Sequence, residues 1–317
     1  MKSNPLLALF VWILTLGVVP DVFSQDAQPR EPRFEALNMT AVVSPTRTYS
    51  GLPVALTITI RNEGEEPVMI PSRFALWESN LRAIVVKAEE EEIPVTGSVM
   101  CGTGRKPPPL SELKPSESRR TKLWVRSCWV PVLEPGYYCI RSGFKVADGA
   151  WLDAPEIILE VSKPSKELEA SAELYTPLRG FVESWPGQIG DHDDEGQQIE
   201  AAETLVRDYA DTIYGKYAAY LLGRKHQRQG DKSMSRDERH KEPEHYGWAA
   251  KHLETLSAWG APENIYLEVL LHLAYVYRRL ESPLQLRETS RKLRSYDLPF
   301  PISEMCERLL WADVERK

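Results

Sequence analysis

The strongest constraint on how this chain folds is a change, near Lys163, in the spacing of its apolar residues. Upstream the spacing is two. Val54, Leu56, Ile58 and Ile60 alternate with Ala55, Thr57 and Thr59, and Arg61-Asn62-Glu63-Gly64 follows as a turn. Successive side chains of a strand point to opposite faces, so the pattern predicts a strand buried on one side. Residues 68–70, 83–87, 123–126, 138–146 and 157–161 read as further short strands, with Glu89 to Glu92 as a hairpin turn. Gly- and Pro-rich turns separate them, which predicts an antiparallel β-sandwich over residues 35–162.

Downstream the spacing becomes helical. Ile199, Ala202, Val206 and Tyr209 form one stripe, Thr212 is placed to cap the next helix, and Trp248, Ala249, His252, Leu253 and Leu256 form a third set. Gly260 ends that helix and Pro262 opens a fourth, running to about Arg279. Pro283 opens a fifth that stops before Pro299, and Ser303 is placed to cap a sixth. The expected organisation is a linker over 25–34, the sandwich over 35–162, a helical linker and loop over 163–194, and an all-α domain over 195–317. Arg224 to His245 reads as a charged insertion.

Two resemblances attach to these segments. Leu123-Trp124-Val125, then Leu133-Glu134-Pro135-Gly136-Tyr137-Tyr138-Cys139, resembles the end of an immunoglobulin-like sandwich, where a turn leads into a strand bearing Tyr-x-Cys. The resemblance implies that the Tyr137 hydroxyl braces the corner. It departs from the family in having no cysteine in the strand from Val54 to Ile60, so it implies an immunoglobulin-like or fibronectin-like module, similar to proteinase-inhibitor-like sandwiches of secreted bacterial chains. Leu205, Tyr209, Thr212-Ile213-Tyr214, Ala218, Tyr220 and Leu222-Gly223, with Leu273-Ala274 and Tyr277 ahead of a Pro-opened helix, resemble the tetratricopeptide-type helical hairpin. Leu286 and Ser290 stand where that unit has small residues. Stacked hairpins of this kind imply an elongated surface for a protein partner.

The first residues read as an export signal. Lys2 precedes an apolar stretch from Leu6 to Val19, Pro20-Asp21 stops it, and cleavage is expected between Ser24 and Gln25, leaving a secreted or periplasmic chain with no membrane span. Retention of the segment as an anchor is the alternative. The net charge of −7 excludes a protein that wraps a nucleic-acid backbone. Asn38-Met39-Thr40 is a formal glycosylation sequon. Export permits disulfides, and Cys101, Cys128 and Cys139 can pair in more than one way, whereas Cys306 is expected free and buried.

No catalytic constellation emerges. Gly-x-Ser-x-Gly is absent, and Gly102-Thr103-Gly104-Arg105-Lys106 lacks the spacing of a phosphate-binding loop. Asp191, Asp193 and Asp194 supply hard oxygen ligands, but the alternating spacing of a calcium loop is missing, and a solvated helix-capping loop explains them as well. His226, His240 and His245 lack a His-x3-His zinc spacing, and His252 and His272 read as hydrogen-bonded packing residues. No cofactor is expected. The sequence therefore predicts a non-enzymatic exported scaffold binding a protein partner through its helical surface, with Tyr217, Tyr220 and Tyr277 as anchors. The alternatives are a proteinase inhibitor acting through the loop from Val95 to Pro109, and an envelope hydrolase with a site near Trp185 to Glu195.

Overall fold

The computed structural model describes residues 34–72, 81–87, 92–94, 109–125, 133–147, 150–178, 195–234, 242–299, 302–307 and 310. The export segment, Cys101, Cys128, Asp191, Asp193, Asp194, His240, the loop from Val95 to Pro109 except Pro109 itself, and the Trp185 loop lie outside the described residues. Strands occupy the N-terminal half and helices the C-terminal half. No helix among the described residues is long and apolar enough to cross a membrane.

Strands β1 (Leu37–Ser44), β3 (Ala55–Asn62) and β8 (Ser118–Trp124) form one antiparallel sheet in the order β1-β3-β8. A second sheet runs β2 (Arg47–Tyr49), β11 (Ile157–Ser162), β9 (Gly136–Ala147), β5 (Leu81–Lys87) and β6 (Glu92–Pro94), with β10 (Ala150–Asp153) also paired to β9. Its pairs are antiparallel except β2 with β11, which is parallel. A short ribbon joins β4 (Val68–Pro71) to β7 (Leu110–Leu113). Alternation determines what is buried. Leu56, Ile58 and Ile60 of β3 pack with Met39 and Val43 of β1, Val85 of β5 and Ile140 and Phe144 of β9 in a common apolar core.

One residue of offset overturns the expected corner. The hydroxyl that braces it belongs to Tyr138, which donates to the Glu134 carbonyl at 2.8 Å, while Tyr137 is 62% exposed. Tyr138 and Ile140 point into the core, so period two turns Tyr137, Cys139 and Arg141 outward. Cys139 therefore cannot reach across the core to the facing sheet. It is a free thiol within 3.2 Å of the Glu156 carboxylate, whereas Cys101 and Cys128, its candidate partners, lie outside the described residues.

In the helical half α1 (Glu169–Tyr175) precedes α2 (Glu195–Asp208), α3 (Ile213–Met234), α4 (Glu242–Trp259), α5 (Glu263–Arg279), α6 (Pro283–Arg294) and α7 (Ile302–Cys306). Thr212 caps α3 by accepting from the Gly215 amide at 3.0 Å, a bond that satisfies one of the orphan donors of a helix start. Gly223 lets α3 lie close to α4, because a Cβ there would stand 2.7 Å from Cγ of Leu253. Gly260 ends α4 at φ +81°. Two boundaries differ from expectation. The run from Arg224 to Met234 is the second half of α3 and not an insertion, and Ser303 lies inside α7 and does not cap it. Charge alone misled there, since a helix carries Lys and Arg on its free faces without breaking.

The described residues from Phe34 onward belong to one compact unit. Leu52, between β2 and β3, is buried in the helical core with Tyr175, Tyr214 and Leu256, and Tyr49 and Trp124 pack against the same core. Burial also pushes the thiol of Cys306 up to about 12. In alkylation of the native protein followed by mass spectrometry, we expect Cys139 to be modified as a monothiol and Cys306 only after denaturation. A native Cys139 disulfide in the same experiment contradicts the outward orientation of β9 side chains.

Candidate functional site

The buried chemistry of the described residues collects along one seam between α3 and α5. On α3, Tyr217, Tyr220, Arg224, Arg228 and Asp231 recur at helical spacing on one face. On α5, Asn264, Glu268, His272, Tyr275 and Arg279 do the same. The two stripes meet.

At the end nearest the sheets, Lys122 of β8 reaches under α5. Its ammonium donates to the Asn264 carbonyl and to Oε1 of Glu268, and it stands 4.7 Å from the centre of the Trp124 ring. Both charged side chains are more than nine-tenths buried. Asn264 joins three elements. Its amide nitrogen donates to the Pro53 carbonyl at 2.9 Å, and its Oδ1 accepts from the Tyr217 hydroxyl at 2.7 Å. Removing one member of a buried pair leaves a charge with no solvent and no partner.

At the far end, Oδ1 of Asp231 accepts from the hydroxyls of Tyr246 at 2.6 Å and Tyr275 at 2.7 Å. Arg279 donates to the Tyr275 hydroxyl from Nε and Nη2. Burial, then the Asp231 carboxylate, raises both tyrosines above their usual range. These phenols stay protonated donors.

Between the two ends lies the middle of the seam. Nη1 of Arg224 donates to the Tyr220 hydroxyl at 3.1 Å, and the Tyr220 ring lies 6.2 Å from the His272 ring. His272 is held well below the ordinary imidazole range by burial and by the Arg224 and Arg228 charges, so it is neutral at pH 7. Burial and the Arg224 charge bring Arg228 down to about 10. Nε of Arg224, Nδ1 of His272 and Oε2 of Glu268 are buried without hydrogen-bond partners.

A second cluster lies on the α4 side of α3. His226 stacks with His252 at 5.7 Å and with His245 at 6.4 Å, beside Trp248. Burial and the neighbouring His252 charge lower His226 to about 4, and burial and Lys251 lower His252. Among the described residues no three His, Cys, Asp or Glu side chains are placed to hold a metal ion.

The anchors expected from sequence take other places. Tyr217 is 1% exposed and Tyr220 2%, both within the seam, while Tyr277 is buried with its hydroxyl on Glu254 at 2.6 Å. All three are packing residues and do not form a free surface. Lys122, Arg224, Asn264, Glu268 and His272 were not read as a group. Their signal was Asn264-(x3)-Glu268-(x3)-His272, three polar residues at steps of four through an otherwise apolar helix.

Comparison with known proteins adds little. No family model and no curated protein matches the chain. Among solved structures it is similar to a β-glucosidase from Listeria innocua, at 10% identity and a TM-score of 0.25 over 40% of this chain and 16% of that one. It is similar to a sporulation control protein of Bacillus subtilis at 12% identity and 0.25, over 45% of this chain and 56% of that one. A CARDB domain from Pyrococcus furiosus, solved with two metal ions, matches at 13% and 0.23, over 41% of this chain and 98% of the domain. The chain thus spans 16% of the β-glucosidase's length.

Lys122→Met should cost about 3–5 kcal/mol in urea unfolding, because Glu268 is stranded. The double variant Lys122→Met/Glu268→Leu should recover most of it. Acid behaviour follows from the lowered histidines. Their neutral forms belong to the folded state, so their stabilisation is full above pH 6.5 and is lost as pH falls toward 4. His226→Gln should flatten that limb of the thermal-melting curve while leaving its neutral plateau in place.

Proposed function

We propose that this chain is an exported, non-enzymatic binding module in which an immunoglobulin-like sandwich and tetratricopeptide-like helical hairpins are joined into one rigid body that engages a protein partner. The export segment beginning at Lys2 supports the compartment, and the cap at Thr212 with the close α3–α4 approach at Gly223 supports the hairpin reading.

The observation that carries the binding role is an apolar patch on the outer face of the larger sheet. Ile158 of β11 is opposite Cys139 of β9, which is opposite Val86 of β5, so the three form one row across the sheet. Tyr137 and Ile84 flank that row, and Tyr137 and Ile158 are 62% and 59% exposed. The rim is charged but self-neutralised, with Arg141 on Glu156 at 2.6 Å, Arg82 on Asp153 at 2.6 Å and Arg47 on Glu160 at 3.0 Å. An aromatic and aliphatic centre within a polar rim is the anatomy of a protein interface, and it suits a partner surface that is itself apolar and uncharged. The burial of Tyr217, Tyr220 and Tyr277 moves the anchor role from the helices to this face.

The test uses the full chain as bait against extracytoplasmic extract, beside the variant Tyr137→Ser/Ile158→Ser. Loss of two central anchors should weaken capture of a specific protein at least thirtyfold, with no change in melting temperature because both side chains are exposed. Equal capture by both baits, or no specific capture by the native chain, overturns the reading.

A further inference from the structure

Arg224 is a buried cation without a counter-ion. It is 9% exposed, its Nη1 donates to the neutral Tyr220 hydroxyl, and its Nε has no partner. No carboxylate among the described residues pairs with it: Glu268 meets Lys122 through Oε1 while its Oε2 stays without a partner, and Asp231 accepts from two tyrosines. Arg228 lies one turn further along the same face of α3 and adds a second guanidinium. Across the seam His272 presents Nδ1, also buried and without a partner. Glu268 lies one turn of α5 nearer to Lys122, so the seam is polarised. Its sheet end holds the Lys122–Glu268 pair, its middle holds the Arg224 and Arg228 guanidinium groups, and Asp231 attracts Arg228 from the far end.

We propose that the middle of the seam is a binding site for a small oxyanion, bounded by Arg224, Arg228 and His272. A guanidinium meets a phosphate or carboxylate group through paired N–H donors, and a buried one left without such a partner is costly. Two adjacent arginines fit a doubly charged tetrahedral anion better than a singly charged carboxylate. Entry is past Arg228, which is half-buried, whereas Arg224 and His272 are closed off behind it. Burial and the two arginine charges hold His272 neutral, and a bound anion offsets the arginine part, so its arrival raises the basicity of that imidazole. The site is on the helical side and is independent of the sheet face.

The experiment is thermal unfolding of the full chain in inorganic phosphate, sulfate or acetate against chloride at constant ionic strength, with the His272 imidazole followed by NMR. Phosphate and sulfate should raise the melting temperature saturably, by roughly 5 °C or more at a hundredfold excess over Kd, with acetate weaker. The His272 titration should move up in phosphate. Arg224→Gln should abolish the response while its melting temperature in chloride equals or exceeds that of the native chain, because it removes an uncompensated charge. Arg228→Gln, at a half-buried position, should weaken phosphate binding at least tenfold and remains informative if Arg224→Gln does not fold. Lys251→Gln, at an exposed cation over Trp248, should keep the full response. An identical response in the native chain and Arg228→Gln, or no response beyond chloride together with an unmoved His272 titration, overturns the proposal.

Discussion

The architecture depends on one buried ion pair placed where two kinds of secondary structure meet. Lys122 lies on an edge strand of the smaller sheet and Glu268 in the middle of α5, and neither retains the water that an exposed charge keeps. Such a pair returns little net stability compared with an apolar contact of the same size, yet it is unforgiving of displacement. Apolar surfaces slide over one another at small cost. A lysine that must satisfy Glu268 and the Asn264 carbonyl together cannot. The pair thus fixes where the sheets stand against the helices, and Asn264, bonded to both Pro53 and Tyr217, repeats that constraint with neutral groups.

From this contact outward, α3 has a different chemistry on each side. Toward α5 it carries Tyr217, Tyr220, Arg224, Arg228 and Asp231. Toward α4 it carries His226 and the bare backbone of Gly223. Both sides keep histidine neutral by burial, joined by arginine charge at His272 and by neighbouring histidines at His226. The helix is therefore a long partition between two low-dielectric compartments, and its stability is tied to the protonation of residues on both faces.

Much of the fold was legible because burial imposes periodicity. The alternation from Val54 to Ile60 placed β3, and the stripe from Ile199 to Tyr209 placed α2, since each element must hide one side. What escaped was of three kinds. Tyr137 and Tyr138 are adjacent and chemically alike, and only the packing of β9 on its neighbours decides which points inward, so the sequence could not choose between them. The seam escaped because its members are remote in sequence. Lys122 meets Glu268 across 146 residues, and no local pattern joins them. Arg224 to Met234 was misread because charge density is a property of free helix faces as much as of loops.

The short connection between β2 and β3 carries a consequence of its own. Within five residues it turns through Gly51 at φ +89°, anchors Ser50 on the Ser162 and Leu133 carbonyls, drops Leu52 into the helical core and offers the Pro53 carbonyl to Asn264. Surface connections usually drift in length among relatives because nothing measures them. This one is measured at both ends. A single added residue would either rotate β3 so that Ile58 faced water or withdraw Leu52 from its socket, which makes the segment a fixed-length spacer in any lineage that keeps this architecture.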